Sequence, residues 1–571
     1  MSLNYYDQFI DWHRSRVRRQ RSLGLDRSAP AAASRPGRKS QCTGGDAAPA
    51  PMLSARVLAT EDYVKNRRGG TSTESQGALA RRHVLRGAGG LIAASVLPAG
   101  VARAATRALA TAPAEASSAT PADLTGRLAR YMVAAREQGL PPGILLDARH
   151  RVLDALGAIV SGSQLKPGEM AIRFIRAQGG APEASVLATN IKTSAINAAL
   201  ANGMFAHADE TDDVDPLTKA HPGAGVVPAA LAMAEREQRS GMELLRAVVL
   251  GYDVGCRFVV ALGHEAIRRG HRGIECPVST MGGMAAAASL ARLDETGMRY
   301  AISFGAQQVS GLWSWVEDPD HIEKAFDIGG MGARNGVTAA VMVQSGFTGV
   351  RDVLSGRHNA MEALSSQPHP EEMMAGLGSR FFVSETGIKT FSVGYPNQAP
   401  LDALLTLRRQ HGLRPDDVER IVVRLPEDAP GIVSNSPMPG VNCQYLIATA
   451  LVDGAISFAN SHSREHMADP QIRALMRRVQ VIGDPKLNDP AAPRSGLVEV
   501  TLRDGKTVTH FTRFPPGTKE NPVDTERMNA KARDLMAPVL GASRTEAVIQ
   551  QVNGLERLAN VRELVRSLVT G

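Results

Sequence analysis

Cysteine is scarce: the 571 residues hold four, at 42, 256, 276 and 443, with no CxxC spacing among them. Such a set implies neither a disulfide framework nor a cysteine-rich zinc site. Aromatic residues make up 4% of the chain, which argues against the aromatic-lined cavity of an all-helical terpene cyclase. The apolar run from Gly87 to Gly100 spans 14 residues, short of the ~20 that cross a bilayer. Basic charge is missing from most of the chain as well. The net charge is +8, yet residues 1–104 hold 17 Lys and Arg against 7 Asp and Glu, leaving 48 against 50 for 105–571. A nucleic-acid-binding role for the globular part therefore has no electrostatic support.

The basic leader has its own logic. In "ARRHVLRGAGGLIAASVLPAGVARAA", Arg81-Arg82 precede the short apolar run, and Ala102-Arg103-Ala104 offers a small-residue cleavage site. This resembles a twin-arginine export signal cleaved near Ala104, with Ala80 and Val84 departing from the usual pattern. Upstream, residues 1–80 are rich in Arg, Ser, Gly and Pro, a disordered composition, and Met52 is a candidate start. The expected mature protein is periplasmic.

With 571 residues, two domains beyond the leader are the natural expectation. From 122 to 384 the pattern is helical. Leu145, Ala148, Val152, Ala155, Leu156 and Ile159 recur at spacings of three and four, a stripe ending near Ser161-Gly162. Further helices are expected over 195–205, 229–236, 241–250, 283–293 and 336–343, several dense in Ala and Gly, as in a tight bundle. Near 385 the texture changes. "VERIVVRL" alternates with period two, "RRVQVI" continues it, and "GLVEVTLRDGKTVTHF" reads as a hairpin turning at Asp504-Gly505. Helices over 401–409 and 446–458 interrupt these strands. The expectation is a mainly α protein: a large helical domain over 122–384, completed by 521–571, and a smaller α+β lid over 385–520.

The densest chemistry is "FAHADETDDVDPLTKAHPGAG", residues 205–225, with Asp209, Glu210, Asp212, Asp213 and Asp215. A calcium loop counted from Asp209 would need Gly and Glu where Val214 and Ala220 stand. Taken singly, Asp209, Asp212 and Asp215 read as solvated, helix-capping acids. Taken together, flanked by "NGMFAH" and "HPGAGVVPAALAMAE", they read as acids lining a cleft between two buried helices.

These same segments, "AINAALANGMFAHADETDD" and "HPGAGVVPAALAMAE", resemble the MmgE/PrpD family of 2-methylcitrate dehydratases and cis-aconitate decarboxylases. "ARHRVLDALGAIVSG", "HIEKAFDIGGMGARNGVTAAVMVQSGFTGV", "TGIKTFSVGYPNQAPLDALL" and "NCQYLIATALVDGAI" extend the likeness over roughly 125–560. The resemblance implies a lyase without cofactor or metal, usually a homodimer, with its active site between the helical domain and the lid. Its substrate would be a small di- or tricarboxylate.

Carried over by position, the resemblance makes Glu210 a catalytic-region acid where most members have Asp, and Asp213 the last acid of an Asp pair that orients its neighbours. His221 matches the His-Pro histidine, a candidate general acid/base; its alternative is a helix-start histidine bonded to backbone. For the second histidine, His271 is the candidate, with Glu275 or Cys276 as substitutes. Lys324 and Lys389 match two pocket lysines, one beside the reacting carbon and one at the lid hinge. Tyr445 matches a pocket tyrosine, and Gln398 stands where many members have a lid histidine. Trp313 and Trp315 read as core or pocket wall, Arg334-Asn335 as carboxylate contacts or a helix cap. The leading expectation is a hydro-lyase acting on a 2-methylcitrate-like acid; decarboxylation, epimerisation or isomerisation, and a carboxylate-binding receptor that has lost its chemistry, are its rivals.

Overall fold

A computed structural model describes residues 122–570; the leader, Ala104 and Met52 lie outside them. The helical part is built on α1 (Pro142–Gly162), α2 (Ala195–Ala206), α3 (Pro222–Arg236), α4 (Gly241–Leu262), α5 (Glu275–Leu290) and α6 (Gly332–Gln344). From Val152 onward α1 is buried on every side, not on one stripe, because a C-terminal helix covers its other face. The small residues act as anticipated. A β-carbon on Gly203 would lie 2.6 Å from the Gly329 carbonyl oxygen, and one on Gly282 2.6 Å from that of Gly251, so these helices pack backbone to backbone.

Three expected helices begin earlier than their apolar pattern. α3 starts at Pro222, where a proline suits the first turn, and runs through Pro228; α5 starts at Glu275 and α6 at Gly332. α4 continues to Leu262, twelve residues beyond the expected end. Glycines that look like boundaries in sequence are contact points within long helices.

The smaller part pairs β1 (Val418–Leu425), β2 (Val479–Gly483), β3 (Gly496–Leu502) and β4 (Thr507–Thr512) in the order β2-β1-β3-β4. β1 and β2 are parallel, the other pairs antiparallel, and Gly505 at φ 84° makes the turn between β3 and β4. α7 (Gln398–His411) and α8 (Cys443–Asp453) bury Leu401, Leu404, Leu446 and Ile447 in one core with Ile421, Val423, Val498 and Val500. The helix expected over 446–458 breaks at Gly454, φ 79°. A separate short helix, Phe458–His462, follows with a Ser457 capping box. After the sheet, α9 (Thr525–Leu540) buries Met528, Ala532 and Met536 in the core that holds Val152 and Leu156. Among the described residues no helix is long and apolar enough to cross a membrane, and Cys256, Cys276 and Cys443 are free and buried.

Candidate active site

α2 ends at His207, whose backbone leaves the helical region, and α3 begins after His221; the acidic stretch is the loop between them. Asp209, Asp212 and Asp215 are all buried, so the solvated reading fails for each, and Asp213 is buried beside them. Backbone bonds from Val214 to Gly387 and back pin this loop to the segment carrying Lys389. From beneath, Lys531 of α9 bonds Asp154 at 2.5 Å and the Thr211 carbonyl at 3.0 Å.

The loop presents two acids to a ring of cations and imidazoles. Glu210 pairs with Lys324 and lies 3.5 Å from Lys389 Nζ. Asp212 receives His207 Nδ1 at 2.9 Å, lies 3.3 Å from His221 Nδ1, and has Lys389 Nζ 3.5 Å from its other oxygen. His321 lies beside His207, the rings tilted by 31° with centroids 5.2 Å apart. Burial alone would raise both carboxyls, but Lys324 and Lys389 at Glu210, and His207, His221 and Lys389 at Asp212, hold them well below the usual range. Burial lowers His207 and His321. For Lys389 burial works against the charge and is outweighed by Asp212 and Glu210, so its pKa is raised. Among the described residues Lys389 Nζ, His207 Nε2 and His321 Nε2 are buried without a hydrogen-bond partner.

Of the residues singled out in the sequence, Glu210, His221, Lys324 and Lys389 come together here. Asp213 stands beneath, bonding Gly223 N at 2.9 Å and the Tyr252 hydroxyl at 2.7 Å, with Arg151 at 3.7 Å. It supports the start of α3, and its oxygens are committed away from substrate. Gln398 spends its amide on the backbone of Phe391 and Val393. The Tyr445 hydroxyl bonds the carbonyls of Asn460 and Ser463, and so holds the short helix of His462. His271 is exposed, at φ 59° in a turn whose carbonyl accepts from Trp313 N. Trp315 is buried in the core with Lys324 over its ring, and Asn335 bonds the Gln308 carbonyl at 3.0 Å within α6.

Sequence reasoning passed over His207, His321 and His462. His321 stands three residues before Lys324, at the left-handed position (φ 61°) that precedes the short helix Ile322–Ala325, and its closeness to Lys324 in sequence was legible. His462 had no local signal: it lies 2.7 Å from Asp209 across about half the chain. Burial disfavours its charge, but the hydrogen bond and charge of Asp209 raise its pKa above 6.5. The linked stability is fully present below the unfolded value of 6.5 and is lost as pH rises through the higher folded value. His462→Gln should therefore lower the melting temperature most below pH 6.5, with the gap to wild type closing on the alkaline side; a pH-independent gap would contradict the ion pair.

Two triads, His207–Asp212–His221 and His207–Glu210–His321, gather donor atoms within 4.8 Å, in types that suit a zinc-like ion. Lys324 and Lys389 stand on the same carboxylates, where an ammonium competes with a divalent cation.

This buried meeting of acids, lysines and imidazoles, at the join between a helical bundle and an α+β part, is the arrangement of a lyase that works on carboxylates. The MmgE/PrpD N-terminal domain model matches residues 126–373 and the C-terminal domain model 391–556; the chain belongs to the MmgE/PrpD family and is an enzyme of its dehydratase or decarboxylase kind. It is 25% identical over 492 residues to the cis-aconitate decarboxylase-like protein oryM of Aspergillus oryzae, covering 79% of this chain and 98% of that one. Cis-aconitate decarboxylases of Aspergillus terreus (24%, 75% and 92%) and Mus musculus (26%, 75% and 90%) are similar over nearly the same span.

Proposed function

We propose that the protein is a lyase that needs no cofactor and decarboxylates a small tricarboxylate of the cis-aconitate kind. The observation that carries this reading is the set of buried polar atoms around Glu210 that make no hydrogen bond among the described residues: His207 Nε2, His321 Nε2 and Lys389 Nζ, the last held by ion pairs at 3.5 Å alone. Buried polar atoms are rarely left without a hydrogen bond: a ligand's carboxylate oxygens accept from an ammonium or an imidazole N–H, while His207 Nε2, with Nδ1 turned to Asp212, accepts a carboxyl or hydroxyl proton. Lys324 is the more exposed ammonium. A substrate carboxylate exchanges with Glu210 there, while Lys389 holds the loop charges in place. As the bond to the departing carboxyl breaks, its electron pair stays on the carbon skeleton, and His221 supplies the proton that takes the place of carbon dioxide.

Dehydration of a hydroxy acid such as 2-methylcitrate is the second reading. His207 and His221 share Asp212, and a carboxylate on one ring nitrogen orients an imidazole so that the other can take a proton, which dehydration requires. In either reading the precursor is exported through its twin-arginine leader and the enzyme works as a homodimer.

The test is proton NMR in deuterated water, with EDTA, on citrate, 2-methylcitrate, cis-aconitate and malate. A product lacking one carboxyl establishes decarboxylation, and a new olefinic signal from a hydroxy acid establishes dehydration. Deuterium uptake without net conversion would mean an isomerase. Silence across the panel would overturn the lyase reading.

A further inference from the structure

The imidazoles beside Glu210 differ in what their two ring nitrogens do. His207 turns Nδ1 to Asp212, 2.9 and 3.0 Å from its two oxygens, and its Nε2 is left over. Among the described residues neither His207 Nε2 nor His321 Nε2 has a hydrogen-bond partner, although His207 is fully buried and His321 is 9% exposed. One ring nitrogen of each histidine and one oxygen of Glu210 lie within 4.8 Å of one another. Three atoms that close share a point no more than about 2.8 Å from each, and zinc bonds to histidine and carboxylate are about 2.0–2.2 Å long. Side-chain shifts of less than about 1 Å therefore close the set on one ion. The rings already stand as such ligands do. At those bond lengths two imidazoles on a tetrahedral ion have centroids about 5 Å apart, and here they are 5.2 Å apart.

The support that a metal ligand needs is also in place. A histidine that binds a metal almost always donates its other ring N–H to a carboxylate or carbonyl, which fixes the lone pair on the ligand nitrogen. Asp212 does this for His207. The other triad, His207, Asp212 and His221, would use Asp212 as a ligand and give up that support. Two lysines stand against any cation. Lys389, fully buried 3.5 Å from Glu210 and Asp212, has no way out, but Lys324, paired with Glu210, has 19% of its side chain exposed and can turn to solvent. Magnesium and calcium prefer several oxygens and find one carboxylate here, whereas two imidazoles and a carboxylate suit zinc and its neighbours.

We propose that His207, His321 and Glu210 form a binding site for a zinc-like divalent cation, which displaces Lys324 from Glu210 and inhibits the enzyme. A substrate carboxylate enters at Lys324 by exchange with Glu210. The ion holds Glu210 and leaves that ammonium turned away, so ion and substrate exclude each other. The site itself does not depend on the reaction. Its inhibitory effect rests on the lyase reading and is the same for decarboxylation and dehydration.

The experiment measures binding first, without substrate. The full-length chain, stripped with EDTA and desalted, is dialysed against zinc or magnesium and the metal per chain is read by elemental analysis, with cobalt titrated in parallel for the visible absorption of a four-coordinate site. One zinc and no magnesium per chain are expected. His321→Gln should weaken zinc binding at least ~10-fold and Asp212→Asn about 10- to 100-fold. Lys324→Met should tighten it about 10-fold, because no charged hydrogen bond has to be broken. That variant keeps the test valid if His321→Gln folds poorly, and zinc held by surface histidines would not respond to it. On whichever acid the NMR panel shows to react, zinc should raise KM with kcat unchanged, and EDTA should reverse the effect; a metal buffer holds free zinc constant, since polycarboxylates chelate it. Absence of zinc binding, or binding that Lys324→Met leaves unchanged or weakens, overturns the site and leaves the lyase reading standing. One bound zinc with unaltered turnover overturns the inhibition. Silence toward every acid removes the lyase reading and the inhibition together, while the dialysis still decides the site.

Discussion

His221→Ala should lower kcat by about 100- to 10,000-fold, the range that one positioned proton carrier contributes, while the protein stays folded. His221 is the residue before the first turn of α3 and makes no side-chain cap bond, so its removal leaves the helix start to Asp213 and Gly223. What is lost is an imidazole whose Nδ1 stands 3.3 Å from Asp212. Asp212→Asn is the companion variant. It keeps the shape but removes the charge that both imidazoles share, so it should impair turnover by a comparable factor. The check is steady-state kinetics on whichever acid the NMR panel identifies, with circular dichroism and melting curves. Binding retained with turnover gone is the expected pattern. A His221→Ala enzyme within a few-fold of wild type would move proton transfer to His207 or His321.

That site was half legible in the sequence, and the division has a physical cause. Glu210, His221, Lys324 and Lys389 lie in long motifs whose likeness to the family places them. The apolar periods predict the helices on either side of the loop that holds Glu210 and His221, but not the short helix Ile322–Ala325 that carries Lys324. Asp212 looked like one of several solvated acids because sequence shows composition, whereas its burial comes from the Val214–Gly387 pairing made 173 residues apart. His462 reaches Asp209 only because Gly454 ends α8 and Tyr445 holds the next short helix in place. Gln398 shows the opposite error: its position in a lid motif pointed to substrate, but its amide closes the turn at 391–393. Strand order was out of reach for a similar reason. The period of two in "RRVQVI" marks a strand, yet nothing local says that it joins the outer side of β1 in parallel.

Lys389→Met should produce the largest loss of stability. The ammonium is fully buried between Asp212 and Glu210. Methionine fills much of the same volume without the charge, leaving two carboxylates with one cation fewer. Removing one partner of a buried ionic network typically costs about 3–5 kcal/mol, which urea unfolding would read as a lower midpoint at nearly constant slope. The pH dependence identifies the cause. Glu210 and Asp212 have pKa values depressed below 4.5 and 3.8, so their contribution is present above those unfolded values and lost as pH falls through the folded ones. The gap between wild type and Lys389→Met should therefore be widest at neutral pH and narrow in acid. Adding Glu210→Gln to Lys389→Met should restore part of the stability, because it removes the carboxylate left in excess. A gap that stays constant from neutral to acid pH would mean that Lys389 contributes packing alone, and that the loop charges are balanced by Lys324 without it.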